Sequence, residues 1–327
     1  MSKPLVDQHG RVVRDLRISV TPRCNYACFY CDPLGEGAKD PIGTISVEDV
    51  DVILTAAVEL GIESVRFTGG EPLLRKELPE MIRLAKKKHA IEDVAVTTNA
   101  SLLARRLPDL FDAGLDRINV SLDAADAEAF REATGGGTIQ QVWDGIHAAE
   151  EAGLTPIKLN AVVVRGINDD QLLPLAELTR DRAWHVRYIE YMHLNNAEPE
   201  AYRERFVSGA ESRERIETVY GSLEPVETDP SAPARLFRVP GFAGALGFID
   251  PVSNPFCGAC SRMRVTSDAK LRPCLLTDRE YSMREALNAD DPLPAVIDAF
   301  LVAAHRKVAS GITSPVTRDR TMVAIGG

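Results

Sequence analysis

No stretch of this 327-residue sequence approaches the roughly 18 consecutive apolar residues of a membrane-spanning helix. Its first residues, MSKPLVDQHGRVVRDL, lack the apolar centre of a secretory signal. Basic residues do not predominate either: 38 Lys and Arg face 48 Asp and Glu, for a net charge of −10. That balance argues against a protein whose main task is to grip a nucleic-acid backbone. There is no internal repeat and no low-complexity tract, and the six histidines contain no pair at metal-binding spacing. The expectation is a cytoplasmic chain with neither a nucleic-acid nor a membrane partner. In that reducing compartment cysteines act as metal ligands or catalysts more often than as disulfides.

What is present is an alternation of strand-like and helix-like segments. Short β-branched runs occur at 16–20, 65–68, 94–97, 118–122, 157–164 and 186–191. Helical periodicity fills the gaps. Val50, Ile53, Leu54, Ala57, Val58 and Leu60 share one helical face; Ser46 is placed to cap that helix, Glu48 and Asp49 suit its first turn, and Gly61 ends it. Further helices are expected over 78–88, 102–113, 139–152 and 170–181. Six strand–helix repeats with right-handed crossovers give an α/β fold, either a barrel or an open doubly wound sheet. The motifs favour an incomplete (β/α)6 TIM-like barrel. Beyond residue 195 the pattern changes to short strands (236–239, 246–249, 263–266, 270–274) and a helix near 294–309. The expected division is a partial barrel over 1–223 and a smaller C-terminal α+β domain over 224–327 that closes it.

The six cysteines form two triplets with none left over: Cys24, Cys28 and Cys31 as C-x3-C-x2-C, and Cys257, Cys260 and Cys274 as C-x2-C-x13-C. Iron–sulfur clusters normally take four cysteines. A missing fourth leaves one iron open to a small molecule, much as an open position marks catalytic zinc. Spacing alone also admits structural zinc, more readily at the second triplet, or six buried thiols.

The first triplet, with Tyr30 before its last cysteine and a strand before it, resembles the radical S-adenosylmethionine (SAM) signature. Together with RDLRISVTPRCNYACFYC, VRFTGGEPLLR, VTTNA, RINVSLDA, GIND, FCGACSRMRVTSDAKLRPC and the final Ile325-Gly326-Gly327, it is similar to the molybdenum cofactor biosynthesis protein A family, the GTP 3′,8-cyclases. The resemblance covers nearly the whole chain, and the second triplet with its RxR is its more specific part. It implies two 4Fe–4S clusters, one on each triplet, with SAM on the open iron of the first and the guanine edge of GTP on that of the second. It implies SAM contacts at Tyr30, Gly70, Ser121 and Met192. Around GTP it places Arg17, Arg66, Thr97, Lys158, Arg187, Arg262 and Arg264, and it brings Gly326 and Gly327 into the active site. A deoxyadenosyl radical would take hydrogen from the ribose 3′ carbon, and the sugar radical would attack carbon 8 of guanine. An electron donor such as a flavodoxin or ferredoxin and a downstream cyclic pyranopterin synthase follow as partners; a homodimer is compatible.

The residues themselves agree with a polyanion. A triphosphate carries roughly four negative charges, and guanidinium groups bind phosphate oxygens bidentately. Arg262 and Arg264 flank Met263, so on a strand both face one side. Solvent-facing arginines would read the same way. A lysine and an arginine, Lys158 and Arg187, pointing into a barrel are costly unless they meet an anion.

Three places depart from the family pattern: Asp32 after the last cysteine of the first triplet, Ala269 in a turn where glycine is usual, and the segment 193–209. A radical SAM paralogue acting on another nucleotide or a peptide would look similar. Gly135-Gly136-Gly137 lacks the lysine and hydroxyl residue of a phosphate loop and reads as a flexible loop. Lys86-Lys87-Lys88 reads as a solvated helix end.

Overall fold

A computed structural model describes residues 3–33, 35, 37, 43–194, 199–311 and 320–326. Its strands are β1 Asp15–Ser19, β2 Ser64–Thr68, β3 Asp93–Thr98, β4 Arg117–Ser121, β5 Lys158–Val163, β6 His185–Glu190, β7 Glu224–Val226, β8 Arg235–Arg238, β9 Ala245–Ile249, β10 Arg262–Val265, β11 Lys270–Arg272 and β12 Tyr281–Ser282. They form one sheet in the order β12-β11-β10-β1-β2-β3-β4-β5-β6-β9-β8-β7. Strands β1 to β6 are the expected incomplete barrel, each paired in parallel with the next. The C-terminal part extends it at both edges, β10 pairing parallel with β1 and β9 parallel with β6. Antiparallel pairs then finish the two ends.

The sheet curls, because one cavity of about 300 Å³ is touched by Arg264 of β10, Arg17, Arg66, Thr97, Ser121, Asn160 and Arg187 of β1 to β6, and Ile249 of β9. Alternation along each strand explains the two faces. In β1, Leu16 and Ile18 are fully buried and share a core with Val50, Ile53 and Leu54 of the first helix, whereas Arg17 lines the cavity. The barrel wall is therefore apolar outside, under helices, and polar inside.

The helix Val47–Glu59 has the expected Ser46 cap, with a reciprocal capping box to Asp49. The segment Leu78–Arg83 continues into a π-helical turn Leu84–Lys88. Leu103–Ala113, Ile139–Glu151 and Pro292–His305 lie where periodicity places them. The expected helix at 170–181 is shorter, Leu172–Glu177 after a 3-10 turn. Helices Ala127–Ala133, Pro199–Arg205, Gly209–Tyr220 and Met322–Ile325 were not anticipated. Ala269 sits at φ +63°, the left-handed region that favours glycine, in the tight turn between β10 and β11.

Gly135 and Gly137 are packed, whereas Gly136 between them faces open space. A Cβ on Gly135 would lie 2.8 Å from the Ala27 carbonyl oxygen, and one on Gly137 2.9 Å from the Tyr26 ring. The triplet supports the first cysteine loop.

Candidate active site

The first cysteine loop leaves β1 at the C-terminal end of the barrel, where barrel enzymes place their chemistry. It is folded on itself: the amides of Cys31 and Asp32 both donate to the Cys28 carbonyl at 2.9 Å. The Asp32 carboxylate accepts from the Gly37 amide at 2.7 Å, which gives this departure from the family a local role. Gly69 and Gly70 lie against the same loop. A Cβ on Gly69 would stand 2.5 Å from the Thr21 carbonyl oxygen, and one on Gly70 2.3 Å from that of Arg23. The glycines thus let two chain segments meet, beyond any approach of a ligand; Gly70 also lines the cavity.

Two buried carboxylates hold the strand ends beneath this loop. Glu71 accepts from the Leu73 amide at 2.9 Å, the Thr98 hydroxyl at 2.7 Å and the Asn99 amide at 2.7 Å. Burial pushes its pKa up to about 7, against the pull of those hydrogen bonds. Asp123 accepts from the Val162 amide at 2.9 Å and from the Tyr30 hydroxyl at 3.0 Å. Burial raises its pKa to about 6. Tyr30 is therefore fixed by its own hydroxyl while its ring lines the cavity.

The second triplet begins in a short turn, Cys257–Ala259, and ends just beyond β11. Glu190 anchors the approach to it, accepting from the amides of Val252 at 2.8 Å and Ser253 at 2.9 Å. All six cysteines line the same cavity. Burial raises Cys24 to about 11 and Cys28 well above the ordinary thiol value, with neighbouring carboxylates and thiols adding to the Cys28 shift. Three thiolates in such a place need compensating positive charge, and a cationic cluster supplies it. Among the described residues no three His, Cys, Asp or Glu side chains stand close enough to hold one metal ion. A cubane, with its thiolates on different irons, accommodates more widely spaced sulfurs than the tetrahedron of a single zinc.

The same cavity is lined by a row of cations. Strand register puts Arg17 opposite both Arg264 and Arg66. Arg187 of β6 donates to Asn119 Oδ1 at 2.6 Å. Burial, followed by the charges of Arg264, Arg66 and Arg262, depresses Arg17 far below its usual value. Burial and neighbouring arginines lower Arg66 to about 10, and Arg187 and Arg264 each to about 9. Arginine does not lose its proton near neutrality, so these directions describe unrelieved repulsion. The Nε atoms of Arg66 and Arg187, Nη1 of Arg262 and Oδ1 of Asn160 are buried without hydrogen-bond partners. The three unpartnered arginine donors and the repelling charge around one space together specify an anion, whereas the Asn160 oxygen is an acceptor left for a donor.

Arg17, Tyr30, Arg66, Gly70, Thr97, Ser121, Arg187, Met192, Arg262 and Arg264 all line the cavity. Lys158 does not. It stands at the opposite end of β5, opposite Asn119 and His185, and burial with Arg117, Arg187 and Arg66 nearby lowers it to about 7. Gly326 is buried at φ +80° against Ser19 and Thr68, and its carbonyl accepts from Arg264 Nη1 at 2.6 Å. Gly327 lies outside the described residues. Arg320 fastens the same tail to Glu280 at 2.9 Å and to Asp268 at 3.1 Å. Sequence reasoning missed Glu71, Asp123, Asn119 and Glu190. Their one signal is a polar residue inside or at the end of an apolar strand.

Residues 18–179 match the model of the Radical SAM superfamily, and residues 184–310 that of Molybdenum Cofactor Synthesis C. The chain is 38% identical over 323 residues to the GTP 3′,8-cyclase of Alkaliphilus oremlandii, spanning 98% of this chain and 99% of that one. It is 43% identical over 291 residues to the GTP 3′,8-cyclase of Geobacter sulfurreducens, with 88% of each covered. Streptococcus suis SuiB bound to S-adenosylmethionine is similar in fold, with a TM-score of 0.55 at 17% identity over 97% of this chain and 77% of that one.

Proposed function

Since the chain belongs to the GTP 3′,8-cyclase family of the radical SAM superfamily, we propose that it converts GTP to (8S)-3′,8-cyclo-7,8-dihydroguanosine 5′-triphosphate in molybdenum cofactor biosynthesis. The observation that carries this reading is one cavity faced by both thiol triplets and by a row of unrelieved arginines. When bound, a 4Fe–4S cluster on Cys24, Cys28 and Cys31 with SAM on its open iron supplies a 5′-deoxyadenosyl radical. Everything else is the chain's own work.

Cys257, Cys260 and Cys274 hold the second 4Fe–4S cluster. Arg17, Arg66, Arg187, Arg262 and Arg264 take the triphosphate, whose charge relieves their repulsion. Thr97 completes that set; Lys158, at the other end of β5 and off the cavity, does not touch the triphosphate and only adds its charge to the field of Arg66 and Arg187. Tyr30, Gly70, Ser121 and Met192 shape the SAM side. Gly326 closes the wall with backbone alone, where a side chain would collide with Ser19 and Thr68, and Gly327 is assigned to the active site with it on the family resemblance. The barrel keeps solvent from a reactive carbon centre, which protects it from side reactions. We assign the barrel to 1–223 and the second-cluster portion to 224–327. No described helix is long and apolar enough to cross a membrane. A cytoplasmic setting, a ferredoxin- or flavodoxin-class electron donor, a cyclic pyranopterin synthase that consumes the product, and a homodimeric assembly complete the proposal.

The test is anaerobic incubation of the reduced, cluster-loaded protein with SAM and GTP deuterated at C3′. The expected products are 5′-deoxyadenosine carrying the deuterium and a cyclised triphosphate, detected by mass spectrometry. Deoxyadenosine without label beside unchanged GTP, or equal turnover of ATP and CTP, would overturn it.

A further inference from the structure

Lys307 presents a buried charge with no evident reason. It is 2% exposed, and it follows the helix Pro292–His305. Among the described residues no carboxylate lies within 4.0 Å of its ammonium. Its Nζ donates instead to two carbonyl oxygens, Arg262 at 2.8 Å and Pro273 at 2.6 Å. Arg262 lies two residues after Cys260, and Pro273 immediately precedes Cys274. The ammonium therefore ties together the two segments that carry these thiols, and it lines the cavity beside all three cysteines of the second triplet.

A second cation braces the arrangement from outside. Arg11 is locked to Asp7 at 2.6 Å. Its Nη1 donates to the Cys257 carbonyl at 2.6 Å, and its Nη2 to the Val308 carbonyl at 2.7 Å. Gln8 Nε2 donates to the carbonyl of Lys307 itself at 2.8 Å. The N-terminal segment thus clamps the Lys307 backbone to the Cys257 turn. An isolated buried ammonium is costly unless it faces negative charge, and among the described residues around it the thiolates of a three-cysteine cluster are the negative charge available.

We propose that Lys307, braced by Arg11, is the counter-charge of the second cluster: it holds the Cys260 and Cys274 segments together and raises the reduction potential of the centre they bind. Net charge near a cluster is one of the levers on its potential. One electron taken from an external donor makes the cluster more negative by one unit, and a fixed cation beside it favours that state. The inference rests on the reading that the second triplet binds a cluster. The measurement separates the two, since a wild-type protein without a second centre refutes that reading itself.

The experiment is an EPR-monitored redox titration of the anaerobically loaded protein and of Lys307→Met, Lys307→Arg and Arg11→Met, with iron and sulfide assayed in each. In Lys307→Met the ratio of reduced to oxidised second centre at a fixed potential is expected to fall about tenfold, which is ~59 mV for a one-electron couple. The first centre is expected to stay at the wild-type value. Lys307→Arg should keep most of the wild-type potential, and Arg11→Met should shift in the same direction by less. A fully loaded Lys307→Met at wild-type potential would overturn the proposal, as would equal shifts in Lys307→Met and Lys307→Arg. If Lys307→Met fails to assemble the second centre, Arg11→Met decides: a lowered potential supports the proposal and an unchanged one overturns it. Loss of the second centre in both methionine variants but not in Lys307→Arg supports the counter-charge; loss in Lys307→Arg as well overturns it.

Discussion

Arg66 stands where its own neighbours repel it, with a buried Nε that has no partner. Replacing such a group by an apolar residue of similar length removes a desolvated charge. Arg66→Met is therefore expected to stabilise the nucleotide-free protein by about 1 kcal/mol. The same change weakens GTP binding by roughly 10- to 100-fold, the worth of a charge-assisted contact of about 1.5–3 kcal/mol. Thermal denaturation and equilibrium binding measure the two arms, and a variant that loses both stability and affinity contradicts this account. Glu71 offers a second test. Its folded pKa, about 7, lies above the ordinary carboxyl range because of burial. Between pH 4.5 and 7 the folded state then holds more protons than the unfolded chain, so stability falls as pH rises through that window. Urea midpoints of the cluster-free chain should decline from pH 5 to pH 8, and Glu71→Gln should flatten that step. The cysteines were legible because thiols at fixed spacing are a chemical signature. Glu71, Asp123 and Lys307 were not, since a single charged letter reads alike whether solvated or buried. What distinguishes them is the partner strand or loop, which no local window contains.

Among elements, the turn after β2 has a defined task. An alanine at Gly70 would place its Cβ 2.3 Å from the Arg23 carbonyl oxygen, so the cysteine loop must shift. Gly70→Ala is expected to cut SAM cleavage at least tenfold while the second cluster keeps its spectrum; intact cleavage would show that the loop tolerates displacement. The tail is the other informative element. Arg320 binds it to Glu280 and Asp268 at its base, and Arg264 binds the Gly326 carbonyl at its tip. Deleting Gly326 and Gly327 should spare deoxyadenosine formation and abolish the cyclised product, both read by mass spectrometry. Full yield from the shortened chain would refute a role for the tail. Sequence periodicity found Val47–Glu59, Leu103–Ala113, Ile139–Glu151 and Pro292–His305 because their apolar faces repeat over several turns, and Ser46 with Asp49 marked one start correctly; it missed Gly209–Tyr220, which is as long but buries only Gly209, Ser212 and Ile216. The short helices Ala127–Ala133 and Met322–Ile325 offer too few turns for a pattern, and packing decides them. The glycine triplet misled for a related reason: its close contacts are with Tyr26 and Ala27, more than a hundred residues away.

At the scale of the whole molecule, six strand–helix repeats were readable from the order of elements, and the sheet bears them out. The placement of β9 and β10 was not, because a strand's sequence announces extension but not its neighbour. With these strands docked at opposite edges of the barrel, Cys257, Cys260 and Cys274 line one cavity with Cys24, Cys28, Cys31 and the arginines. The account depends on that arrangement: one centre for SAM, the other for GTP, and a chamber shared by both. The most direct test is EPR of the reduced, anaerobically loaded protein with each ligand added separately, alongside a variant lacking all three C-terminal cysteines. SAM should perturb only the centre that survives in the variant, and GTP only the centre that the variant loses. Should both ligands act on one centre, or should GTP still alter the spectrum of the variant, the division of the cavity proposed here is wrong.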